Sequence, residues 1–114
     1  MKIKLTERYE AVVIELKGNV MGGDDTKDFN ELLHKTIDEG KKNVIVDLSD
    51  VKFMNSSGIG MLIGGLTTMK KAEGSLKLSG LTEKIESLLV ITKLITIFES
   101  YNNIDEAIAS FNKV

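Results

Sequence analysis

The side chains with the most chemical potential stand in one short run, Asn55-Ser56-Ser57-Gly58-Ile59-Gly60. Two adjacent hydroxyls at a helix start can accept a phosphoryl group or hold an anion. A helix N-terminus supplies the unpaired N–H groups and the positive dipole end that such chemistry needs. The glycines remove Cβ atoms, so another molecule's backbone or phosphates could approach closely. An ordinary capped helix start uses the same residue types, so spacing alone leaves both readings open. Neither G-x-x-x-x-G-K-[ST] nor G-x-G-x-x-G occurs, which leaves a P-loop or dinucleotide fold unsupported. A hydrolase centred on Ser56 would lack both the G-x-S-x-G elbow and a placed base.

Other chemistry is thinly represented. Cysteine is absent, which excludes disulfides and thiolate metal sites, and the single histidine is His34. His34 falls outside the apolar stripe of its predicted helix and reads as a solvated surface residue. With so few nitrogen and sulfur ligands, no metal and no cofactor are expected. The net charge is −2 and the basic residues are spread out, with Lys41-Lys42 and Lys70-Lys71 the densest pairs. Phosphate-neutralising nucleic-acid binders usually concentrate their basic residues, and stacking needs more aromatics than two Tyr, four Phe and no Trp. A protein partner is the better expectation than nucleic acid. No apolar run approaches the ~18–20 residues of a membrane span, and Met1 to Leu5 alternates in a way unlike a signal peptide. The expectation is a reduced, cytoplasmic protein that is not an enzyme.

The elements that must position the serine pair follow from periodicity. A length of 114 residues predicts one domain, 1–114. Ile3 and Leu5 alternate with polar residues as in a half-exposed strand, and Val12, Ile14 and Leu16 repeat the pattern before Gly18 opens a loop. Asp24 or Asp25 is expected to cap a first helix whose stripe is Phe29, Leu32, Leu33 and Ile37, stopped by Gly40. Val44-Ile45-Val46-Asp47-Leu48 is apolar on both faces, the mark of a doubly covered central strand. A second helix carries Ile59, Leu62, Ile63, Leu66 and Met69, with Gly64 and Gly65 expected to meet another backbone. Ser75 to Ser79 reads as a strand, a third helix follows Thr82 through Ile85, Leu88 and Leu89, and Ile95 to Glu99 reads as a last short strand. Asn103 and Glu106 form a capping box for a final helix with Ile104, Ala107, Ile108 and Phe111 on one face. The order ββαβαβαβα implies right-handed crossovers and a mainly parallel sheet.

The stretch Val44 to Gly60 resembles the signature of the STAS family, shared by anti-sigma factor antagonists and the tails of sulfate transporters. The family pattern is an apolar strand ending Asp-Leu-Ser, a link with an aromatic residue, and Met-Asp-Ser-Ser/Thr/Ala-Gly-Leu-Gly opening a helix. Here it reads Val46-Asp47-Leu48-Ser49, then Phe53-Met54-Asn55-Ser56-Ser57-Gly58-Ile59-Gly60. The resemblance extends through Gly18, Gly74 to Leu78, and Leu88 to Phe98. It implies an α/β STAS fold, a mainly parallel mixed sheet of about five strands with four helices. Stand-alone chains of this length resemble the antagonists more than the transporter tails.

By that resemblance Ser56 is the acceptor of phosphate from a partner that is both a GHKL-type serine kinase and an anti-sigma factor, with Ser57 as the alternative acceptor. The unphosphorylated antagonist binds the kinase, phosphorylation breaks the complex, and a metal-dependent serine phosphatase restores it. The implied interface comprises the loop after Gly18 with Met21 and Asp24, the turn Asn55, Ser56, Ser57, Gly58 and Gly60, and the exposed side of the next helix with Met61, Thr68 and Lys71. Asn55 replaces the family's acidic residue, which keeps a capping side chain and removes one charge beside the serine. The competing reading is a constitutive STAS binding subunit of a transporter, lipid-transport or signalling assembly, in which Ser56 serves only as a helix cap. A third is a nucleotide or small-anion binder at the same helix start. The oligomeric state is read only as monomer or weak dimer.

Overall fold

A computed structural model describes residues 1–8 and 11–112. The order is β1 (Lys2–Glu7), β2 (Val12–Val20), α1 (Asp24–Asp38), β3 (Asn43–Met54), α2 (Ser56–Lys71), β4 (Ser75–Ser79), α3 (Glu83–Ile91), a 3-10 turn (Leu94–Thr96), β5 (Ser100–Tyr101) and α4 (Ile104–Ser110). The strands form one sheet in the order β1-β2-β3-β4-β5. β1 is antiparallel to β2 and every other pairing is parallel, so the expected mixed, mainly parallel sheet is present.

Alternation along the strands divides the interior in two. Val12, Ile14, Leu16, Val44, Val46, Leu48, Leu76 and Leu78 bury one sheet face against Phe29 and Leu33 of α1, Leu62 and Met69 of α2, and Ile85 and Leu89 of α3. Val13 and Ile45 point the other way and meet Ala107, Ile104 and Ile108 of α4 and Phe111 at its C-terminal end. β3 is therefore covered on both faces, as its apolar run predicts. Lys77 lies beside this smaller core and fastens α4. Its Nζ donates to Ser110 Oγ at 2.9 Å and sits 4.1 Å from the Phe111 ring centroid. Asp47, also buried, accepts hydrogen bonds from the hydroxyls of Ser49 and Ser79, which ties β3 to β4.

Several local expectations are corrected. The cap of α1 is Gly23, and no side chain makes the capping bond. Asp24 and Asp25 lie inside the first turn, where a carboxylate acts on the helix dipole instead of accepting as the cap. Gly18 does not end β2, because β3 runs on to Met54 and pairs β2 through Val20↔Met54. Ile95 to Glu99 is not a strand. Pairing with β4 starts only where Leu78 N donates to the Glu99 carbonyl, while Leu94 and Ile95 turn inward onto the core. Gly64 faces open space, and Gly65 meets the side chains of Phe29 and Leu33 and not another backbone.

Candidate functional site

The serine turn is built where β2 and β3 end side by side. Asn55 is extended, and its backbone N–H donates to the Val20 carbonyl at 3.3 Å. Its side-chain oxygen accepts from Gly58 N at 2.8 Å, so Asn55 is the N-cap of α2. Ser56 and Ser57 are thereby the first two helical residues, and both are exposed. The first turn of α2 holds no acidic residue, whereas α1, α3 and α4 each carry two. The positive end of the α2 dipole is left to the solvent and to whatever the two hydroxyls carry.

A Cβ on Gly22, whose φ is +80°, would stand 2.6 Å from the Ser57 Cβ, so the β2–α1 loop lies against Ser57. Gly22 escapes this clash by lacking a Cβ and also supplies the positive φ the loop requires.

Gly58 is small for a reason inside the fold. It is buried, and a Cβ there would meet the Val20 carbonyl oxygen at 2.2 Å and Met54 Cγ at 2.9 Å. Gly60 is exposed and has nothing within 4 Å of its Cβ position, so close approach by another molecule remains open there. Met21 is 46% exposed and Asp24 is exposed, on the loop and helix start that border the turn.

Met61 does not lie on the exposed side of α2. It is 2% exposed, because it stands one turn before Gly65 on the flank that α1 covers through Phe29 and Leu33. The outward strip of α2 is instead Ser56, Gly60, Gly64, Thr67 and Lys71. Thr68 is half-buried at its margin, and Lys71 is exposed at the far end. At 1.5 Å per residue Lys71 lies roughly 22 Å along the helix from Ser56, so the turn and this lysine share a face but not a site.

Phe53 was not singled out as a contact residue, yet it is 40% exposed three positions before Ser56, with Lys84 Nζ 5.4 Å from its ring centroid. Only the pairing shows it: Lys52 and Phe53 are both exposed between buried Val51 and Met54, where the β2–β3 register shifts. His34 is exposed, as expected. Among the described residues no three His, Asp or Glu side chains gather to hold a metal ion, and no helix is long and apolar enough to cross a membrane.

These features define a small mixed-sheet α/β module that presents a hydroxyl pair at a capped helix start on its surface. The chain belongs to the STAS domain family, whose model matches residues 2–107. It is 45% identical over 47 residues to the anti-sigma-B factor antagonist of Bacillus subtilis (strain 168), a stretch covering 41% of this chain and 43% of that protein. The matched stretches span about half the length of the curated relatives. The fold is that of an anti-sigma factor antagonist from Mycobacterium paratuberculosis, with a TM-score of 0.81, 17% identity, and coverage of 98% of this chain and 94% of that one. It is also that of the Bacillus cell fate determinant SpoIIAA in its phosphorylated form, with a TM-score of 0.74, 21% identity, and coverage of 96% and 98%.

Proposed function

We propose that the chain is a phospho-regulated anti-sigma factor antagonist that acts by binding and not by catalysis. In its unphosphorylated form it binds an anti-sigma factor that is also a serine kinase of the GHKL type. Phosphorylation of Ser56 releases it, and a metal-dependent serine phosphatase resets it. The observation that carries this reading is the exposed Ser56 hydroxyl on the first residue of α2, at a helix start whose first turn holds no acid. Both the match to an anti-sigma-B factor antagonist and the likeness to a protein solved in a phosphorylated form support it.

The physical logic is a difference between fold and interface. A phosphoserine adds about −1.5 to −2 charges and three acceptor oxygens. At the N-terminus of α2 the domain tolerates that charge, because the unpaired N–H groups and the dipole favour it. Packed against a partner, the same charge must be desolvated without a counter-ion, and the complex is lost. The partner surface on this reading comprises Met21, Asp24, Asn55, Ser56, Ser57, Gly60 and the outward strip of α2 as far as Thr68 and Lys71, joined by Phe53.

The test is incubation with the candidate kinase and ATP, mapping of the product by mass spectrometry, and measurement of kinase binding by Ser56→Asp. Phosphate on Ser56 with loss of binding in the variant is expected. An unmodified Ser56 together with unchanged binding by Ser56→Asp would replace this reading with a constitutive binding subunit.

A further inference from the structure

A second feature lies away from the serine turn, on the sheet. An open cleft of about 620 Å³ is lined by Lys2 of β1, Lys17 and Gly18 of β2, and Asp50, Val51 and Lys52 of β3. Strand pairing sets Lys2 directly opposite Lys17, although two rungs further along the same hairpin Lys4 stands opposite Glu15. Like charges directly opposed across a pair of strands are destabilising, so this rung is an electrostatic cost to the fold. Lys17 has one carboxylate nearby, Asp50 at 3.8 Å, on a side chain 64% exposed. Among the described residues Lys2 and Lys52 have no ion pair.

The backbone is shaped to gather these lysines. The β2–β3 ladder changes register twice, between Glu15 and Lys17 and between Gly18 and Asn19. At the second change Gly18 pairs Val51 and Asn19 pairs Phe53, which leaves Lys52 as the extra residue of a bulge. Bulges bend a strand and re-aim side chains, and here the re-aimed side chain lines the cleft with the other two lysines. Gly18, with φ +88° and nothing within 4 Å of its Cβ position, lines the cleft without obstructing it.

We propose that this cleft takes an extended acidic segment of a partner protein. Its three ammonium groups stand on three adjacent strands, which spreads them over about 10 Å across the sheet. Alternate side chains of an extended chain fall on one side about 6.5–7 Å apart, so successive carboxylates reach successive lysines. A single compact anion would reach fewer of them. Three lysines against one aspartate line the cleft although the whole chain carries −2, so the attraction belongs to this cleft and not to net charge. The proposal does not rest on the role of Ser56.

The test titrates the 15N-labelled full chain with a six-residue all-glutamate peptide, with its all-glutamine counterpart as the control. Saturable shifts are expected at the amides of Gly18, Val51, Lys52 and Thr82, which also lines the cleft. They weaken with added salt and are absent with the glutamine peptide. Lys2→Glu combined with Lys52→Glu is expected to lower the affinity roughly tenfold, through lost and reversed ion pairs. Lys27→Glu combined with Lys42→Glu, exposed residues elsewhere, makes the same change in net charge and is expected to leave it unaltered. Unchanged β4 amide shifts in each variant establish that the fold is kept. Absence of saturable shifts, shifts scattered over all lysine-bearing surfaces, or equal weakening in both double variants would overturn the proposal. So would a response of the cleft to phosphatidylserine vesicles without one to the peptide, which would assign it to a membrane surface.

Discussion

The carbonyl oxygen of Val20 occupies the space beside Gly58 so closely that a Cβ there would lie 2.2 Å away. This contact, with the bond from Asn55 N to the same carbonyl, sets the first turn of α2 against the end of β2. The exposed serines are presented from a backbone that is held on its inner side.

Gly58→Ala and Gly64→Ala are therefore expected to act with opposite signs. At Gly58 the added methyl must displace backbone, a strain of roughly 1–3 kcal/mol that exceeds any gain in helix propensity. At Gly64, exposed and open, the same change is expected to stabilise by up to about 1 kcal/mol. Denaturant unfolding of the two variants reads both, and a destabilised Gly64→Ala would show that this surface is not free.

Asn55→Ala removes the bond to Gly58 N and is expected to cost about 1 kcal/mol. Asn55→Asp keeps a capping oxygen and adds charge at the favourable end of the dipole, so its stability should equal or slightly exceed the parent's. Thermal melts at low salt separate the two. A loss in Asn55→Asp as large as in Asn55→Ala would count against the cap geometry.

Ser56→Asp places a carboxylate on the first residue of α2. It is expected to raise stability by about 0.3–1 kcal/mol at low ionic strength, and the gain should shrink in high salt. Measured beside partner binding, this separates tolerance of charge by the fold from rejection by an interface. A destabilised variant would mean that the phosphorylated state is costly to the domain itself.

Lys77→Met removes the ammonium from between Ser110 and the Phe111 ring while keeping much of the apolar stem. It is expected to cost roughly 1–2 kcal/mol. Amide hydrogen exchange should quicken in α4 before it does in β2 or β3, since α4 has only seven residues and one face to bury. Uniform acceleration across the sheet would instead place Lys77 in the cooperative core.

Much of this architecture was legible in the chain. The caps Asn55 and Asn103 make the expected side-chain bonds, because a cap joins residues three positions apart and its chemistry is local. The doubly covered β3 and the Ile104, Ala107, Ile108 and Phe111 face of α4 were equally readable, since periodicity encodes which side is buried. The pattern could not say how far β2 and β3 would run. Their ends depend on pairing with each other, and Gly18, a stop by residue type, pairs Val51 beside the bulge at Lys52.

Sequence alone determined the order of elements, the family signature and a turn at Asn55 to Gly60 with two hydroxyls at a helix start. Tertiary structure decided what each residue of that turn does. Gly58 is small because of Val20, thirty-eight positions earlier, and Met61 is buried because α1 covers its flank. Neither relation leaves a trace within the few residues over which helix and strand signals act. The lysines of the sheet cleft likewise come from three strands, and only folding brings them to one surface.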